Sequence, residues 1–200
     1  MIARRNFLII ASAALAAPSG SYADPLAPDM VFHDPDAPAL GHPQGDVTLV
    51  EFFDYQCPYC KRNHPVVEEV MAQDPGLRLV MKDWPVFGPV SRRASQLVLG
   101  AHEGGGYETA LNALMATQAR LSNQQVDKAL KDAGIQVGAA ERNYENASKK
   151  IDALLVRNDT QATGLGFFGT PGFVAGRTLY PGALDRKALM AAIQSARSGR

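Results

Sequence analysis

The only two cysteines of this 200-residue chain stand in one short segment, Cys57-Pro58-Tyr59-Cys60, so no long-range disulfide can staple the fold. They are also too few for a closed four-ligand structural zinc site. A bridge between them would close a tiny loop and remove little unfolded-state entropy, so its value lies in chemistry rather than stability. Stability must come from an ordinary globular composition, with 46% apolar residues and 20 acidic against 20 basic side chains. The length predicts one domain, or one domain carrying an insertion. Formal net charge is zero, which gives the whole molecule no electrostatic footprint for nucleic acid.

The first 23 residues hold Arg4 and Arg5, no acidic residue, and then a weakly apolar run over 9–17. That order is expected of a signal peptide, with Ser21 and Ala23 as the small residues before a cleavage site at Asp24. The apolar run is about half of the ~20 residues a spanning helix needs, which disfavours a permanent anchor. Arg4-Arg5-Asn6-Phe7-Leu8 resembles the core of a twin-arginine signal, with Ala3 where Ser or Thr is usual, and the general secretory route stays open beside it. Either route leads to an oxidising compartment, here expected to be the periplasm, where such a cysteine pair can hold a disulfide. Removal of the peptide shifts the formal charge to about −2.

Residues 24–46 carry Pro25, Pro28, Pro35, Pro38 and Pro43, which predicts a proline-rich extended arm without a helix, ending in a short edge strand around 31–33. Residues 47–55 are near-continuously apolar except for Glu51 and Asp54 and read as a buried central strand. Val66, Val67, Val70 and Met71 mark a helix over 58–72 that Pro65 should kink, and 77–82 is a second strand. Together these form a βαβ unit with the cysteines where a strand feeds a helix. From 91 to 163 the pattern is helical throughout, with a glycine joint at 104–106 and a capping box of Ser122 and Gln125. Two short strands, 172–175 and 178–180, then form a hairpin through Gly176-Arg177 before a closing helix over 185–197. The chain therefore reads as α/β, with one domain from 47–90 and 164–200 and an inserted helical domain over 91–163.

A strand-to-helix turn brings the first cysteine to the free N–H groups and positive end of the helix, which favours thiolate over thiol. Cys57 is the expected nucleophile and Cys60, one turn further in, the expected resolving thiol. Pro58 loses no hydrogen bond at a first-turn position. A structural disulfide and a reduced metal pair remain open on the spacing alone.

The segment Glu51-Phe52-Phe53-Asp54-Tyr55-Gln56-Cys57-Pro58-Tyr59-Cys60 resembles the active-site segment of the DsbA-like thiol:disulfide oxidoreductases, a thioredoxin-like fold with an inserted helical domain. The likeness extends over essentially the whole chain after residue 23 in the order of its elements. Gly169-Thr170-Pro171-Gly172-Phe173 occupies the place of the family's cis-proline loop, so the resemblance implies a cis Thr170–Pro171 bond beside the cysteines, with backbone able to pair with a substrate peptide. Glu51 and Lys82 match the family's buried charged pair. Such a carboxyl must be paired, or neutral with a raised pKa; it can relay protons to or from Cys60, with a structural Glu51–Lys82 ion pair as the alternative. His64 replaces an acidic residue that some members carry after the second cysteine.

The resemblance implies protein thiol and disulfide substrates, a membrane redox partner that recycles the cysteines, no cofactor and no metal. Pro58-Tyr59 and Thr170 also resemble combinations found in isomerase and copper-tolerance-associated members. The short arm has no heptad seam, which favours a monomer. A rival class is a protein holding Cu(I) between the two thiolates, although no Met-rich or His-rich tract accompanies them. His33, His42, His64 and His102 are scattered and are expected to be surface or locally bonded. Trp84, Val86 and Phe87 are expected to pack under the helical block, with a peptide groove as the alternative.

Overall fold

Residues 47–53 are rich in β-branched and aromatic side chains and 77–81 in aliphatic ones, and a computed structural model describing residues 24–118 and 120–199 folds both stretches into central strands. The expected signal peptide at 1–23 lies outside the described residues. Strands β1 (Ala39–Gly41), β2 (Val47–Phe53), β3 (Leu77–Asp83), β4 (Gly172–Ala175) and β5 (Thr178–Pro181) form one sheet in the order β1-β3-β2-β4-β5. Only β2 and β3 are parallel. The helix between them, α2 (Pro58–Gln73), makes the crossover and runs through Pro65 as one helix.

Side chains alternate across β2 and β3. Leu49, Phe53, Leu79 and Met81 join the larger core with α2 and the closing helix α7 (Arg186–Arg197). Val50, Phe52 and Val80 join a smaller cluster on the other face with Val31, Trp84, Ala162 and Phe167. Each of these buried large side chains contributes roughly 1.5–3 kcal/mol. Trp84 packs edge-on against Phe52, and its indole N–H donates to Asp159 at 2.8 Å.

Four helices follow between β3 and β4: α3 (Pro89–His102), α4 (Tyr107–Met115), α5 (Asn123–Asp132) and α6 (Val137–Gly164). Ser122 and Gln125 form the reciprocal capping box at the start of α5. Gly100 has a steric reason, because a Cβ there would collide with the Ala140 carbonyl where α3 and α6 cross.

The arm differs from its sequence expectation. Residues 28–32 are not a lead-in to a strand but a short helix, α1 (Pro28–Phe32), and the edge strand lies later, at β1. Proline forbids a helix interior but not its first position, and Pro28 stands there, with Met30 and Val31 N–H groups returning to the Ala27 carbonyl. α1 is held to the sheet by Arg78, which donates to the Phe32 carbonyl, and to α6 by Gln161, which donates to Met30 and Pro25.

Lys82 anchors the same region. Its ammonium is fully buried and pairs with Asp34 at 3.0 Å, and Arg157 from α6 clasps both oxygens of Asp34 at 2.8 Å. The expected Glu51–Lys82 pair is therefore absent. In the parallel register Glu51 lies opposite Met81 and Lys82 opposite Phe52, so the two side chains project from opposite faces of the sheet.

Burial pushes the Asp34 carboxyl up, but its bonds with Arg157 and Lys82 outweigh that and hold it below the ordinary carboxylate value. Asp34→Ala strands the Lys82 charge and should cost about 3–5 kcal/mol in urea unfolding, whereas Asp34→Leu with Lys82→Met should cost much less. Because the folded-state pKa is depressed, Asp34 stabilises fully above pH ~4, and this contribution disappears as pH falls further.

Candidate active site

Cys57 is the N-cap of α2, with φ −73° and ψ 117°, and its sulfur accepts the Cys60 backbone N–H at 3.4 Å. This is the place where a helix offers N–H groups without intrahelical partners, and Pro58 at the first position adds none. Residues 170 and 171 approach from the end of the chain. Their bond is cis, and the Cys57 thiol donates to the Thr170 carbonyl at 3.2 Å. The sulfur thus lies between the helix start and the proline loop, with Cys57 1% exposed. The two cysteines are not joined in this structure.

The two thiols are electrostatically unlike. The hydrogen bond from the Cys60 thiol does most to lower Cys57 to about 6, burial opposes it, and the proximity of Thr170 and the Cys60 and Tyr59 N–H groups add to the lowering. Burial raises Cys60 far above an ordinary thiol, and its bond to Cys57 and the charges of Glu51 and Cys57 act in the same direction. At neutral pH this arrangement presents one thiolate and one thiol.

Glu51 lies on the cysteine side of the sheet, fully buried, with Oε2 unpaired among the described residues. Burial first, and then the charge of Cys57, push its carboxyl up to about 8. Lys82, on the other face, cannot offset this. A second buried carboxyl, Asp83, is pushed up to about 7 by burial, against the nearby hydroxyls of Ser95, Tyr55 and Tyr107, of which that of Tyr107 donates to its Oδ2 at 3.3 Å.

The structure therefore brings together Cys57, Pro58, Tyr59, Cys60, Glu51, Thr170 and Pro171, and separates Lys82 from them. Next to the proline loop a groove of about 510 Å³ runs between Tyr59, Phe168, Pro171 and Gly182. Phe168 is wholly exposed at 103% and Tyr59 is 57% exposed, with the Arg62 guanidinium 4.6 Å above its ring. Val86 and Phe87, expected to pack under the helical block, are exposed instead, because they lie in the loop before α3, whereas Trp84 is core. His64, expected at the surface or locally bonded, is buried between α2 and α4, its Nε2 2.9 Å from the Asn112 Oδ1. Sequence alone gives neither Asp34 nor Gln56 a role at the site. The charged partners of Asp34 stand 48 and 123 positions away, so no local pattern announces them. Among the described residues no group of three or more His, Cys, Asp or Glu could hold a metal ion.

Comparison with known proteins places this geometry among relatives. The profile of the family described as DSBA-like thioredoxin domain matches residues 48–194. The fold is similar to that of a thioredoxin-like oxidoreductase from Silicibacter pomeroyi DSS-3, with a TM-score of 0.83 and 37% identity over 87% of this chain and 99% of that one. The catalytic domain of Proteus mirabilis ScsC gives 0.73 and 29%, covering 85% of this chain and 94% of that domain. A periplasmic thioredoxin-like protein from Salmonella enterica serovar Typhimurium gives 0.75 and 25%, covering 85% and 95%. The chain is also 28% identical over 171 residues to the Na(+)/H(+) antiporter NhaA 3 of Salinispora tropica; the match takes in 84% of this chain and 26% of the antiporter. It spans about a quarter of the curated relatives it matches. No described helix is long and apolar enough to cross a membrane.

The raised pKa of Glu51 has a stability consequence. Its folded form keeps a proton that the unfolded chain releases near pH 4.5, so it costs stability as pH rises from there to about 8. Glu51→Gln removes that slope. In the reduced protein its stability relative to wild type should grow by about 1 kcal/mol per pH unit across this window and then level off, read by urea unfolding at several pH values.

Proposed function

The chain belongs to the family of DSBA-like thioredoxin domains, and on that premise we propose that it is a thiol:disulfide oxidoreductase that forms or exchanges disulfides in exported proteins. The observation that carries this reading is the Cys57 sulfur at the N-cap of α2, lowered to about 6 beside a cis Thr170–Pro171 bond, while Cys60 behind it is held as a thiol.

In the oxidising direction a substrate thiolate attacks Cys57 of the Cys57–Cys60 bridge. The substrate–Cys57 disulfide forms, the Cys57–Cys60 bond breaks, and Cys60 leaves with the electron pair. Glu51, neutral below about pH 8 and on the cysteine side of the sheet, can supply the proton that Cys60 takes up. A second substrate thiolate then attacks the substrate sulfur of the mixed disulfide, and Cys57 departs as thiolate. The substrate loses two electrons and the dithiol enzyme gains them. Thr170 and Pro171 stand where an extended substrate can lie against Cys57, with the groove beside Tyr59 and Phe168 receiving its side chains.

Stabilisation of the departing Cys57 thiolate favours the reduced enzyme and hence the oxidase direction. The export signal expected at 1–23 would carry the protein to the periplasm. A membrane partner would reoxidise it, and it would act there as a monomer without a cofactor.

Cys57→Ser should abolish both insulin reduction and dithiol oxidation, and retention of either would overturn the assignment. Equilibration with glutathione should give a potential above the roughly −270 mV of a thioredoxin-type reductant. Refolding of scrambled ribonuclease should be slow, and efficient reshuffling would make the protein an isomerase instead.

A further inference from the structure

Gln56 stands immediately before the proposed nucleophile, yet it is only 6% exposed and its side chain turns into the protein. The carboxamide is used at both ends. Its Nε2 donates to the Ser91 hydroxyl at 2.9 Å and to the Phe87 carbonyl at 3.4 Å, and its Oε1 accepts the Leu121 N–H at 3.0 Å. Those partners belong to the first turn of α3, to the loop before it, and to the segment between α4 and α5. Asp54 closes the network from the other side. Its carboxylate accepts the Gln56 N–H and the Ser91 O–H, each at 2.7 Å, and the Phe87 N–H at 3.0 Å, while its carbonyl accepts the Cys57 N–H at 3.1 Å.

We propose that Gln56 is a positioning residue that ties the turn before Cys57 to the helical insertion, through Ser91, Phe87 and Leu121, and so fixes the N-cap geometry that holds the Cys57 thiolate. This inference rests on the nucleophilic role proposed for Cys57. Two physical arguments carry it. A buried carboxamide contributes little net stability over an apolar side chain of equal volume, but when its bonds are made it specifies one arrangement of the groups around it. The N–H···S bond at 3.4 Å is directional and weak, so it lasts only while the backbone at 56 and 57 is held still. Ser91 carries the constraint between the two residues: it accepts from Gln56 and donates its only proton to Asp54, which orients both.

The test uses Gln56→Met, which keeps the volume and removes the hydrogen bonds. In the folded, reduced variant the midpoint of the Cys57 thiolate absorbance should rise by about one pH unit, and kcat/KM for dithiol oxidation should fall about 3–10-fold. A residue that only fills space would leave both unchanged, and that result in a folded protein overturns the proposal. Should Gln56→Met fail to fold, Ser91→Ala removes the link between Gln56 and Asp54 alone. It should move the same midpoint upward by a smaller amount, and no movement there overturns the proposal equally. Wild type is assayed beside them. Its failure to reduce insulin would overturn the oxidoreductase reading, while an active wild type with unshifted variants would overturn only the positioning role.

Discussion

A helix begins with backbone N–H groups that have no partner inside it, and at the start of α2 the Cys57 sulfur meets that of Cys60. The rest of the fold serves to keep the sulfur at this spot. β2 delivers the chain to the sheet's end, α2 turns back over the core, and β4 brings the cis Thr170–Pro171 bond against the same atom from the far end of the sequence. The helical insertion closes around the turn through Ser91, Phe87 and Leu121. In this setting the two thiols differ, one lowered chiefly by the hydrogen bond from Cys60 and the other raised by burial.

The distribution of buried charge separates two tasks that the sequence resemblance had joined. Lys82 works on the outer face of the sheet, where its pairing with Asp34 and Arg157 fastens the N-terminal arm to β3 and α6. Glu51 lies on the cysteine face without a counterion among the described residues. A carboxyl in that position is cheaper neutral than charged, and ionised Cys57 raises the cost of its charge further. With no cation beside it among the described residues, Glu51 is favoured as a protonated group behind the cysteines at neutral pH.

Much of the architecture was legible because it rests on local rules. The apolar run ending in Phe53, the helical spacing of Val67 and Val70, the Ser122–Gln125 box and the short strands around Gly176-Arg177 each announce an element through period, cap or turn chemistry. In the arm the position of the prolines matters more than their number: Pro28 at the first turn starts α1 instead of forbidding it. His64 looked like an isolated histidine until the packing of α4 on α2 supplied Asn112.

By itself the sequence determined where the candidate site residues stand and in what local setting: a cysteine pair at a strand-to-helix turn, a carboxyl inside a buried strand, and a Thr-Pro pair before another strand. Strand register and the approach of distant segments decided the rest. A single step along β3 separates the face shared with Glu51 from the face that holds Lys82, and composition does not set that parity. The partners of Lys82 and Gln56 lie tens of positions away in the chain, because a buried charge or amide is satisfied by whatever the tertiary fold brings to it.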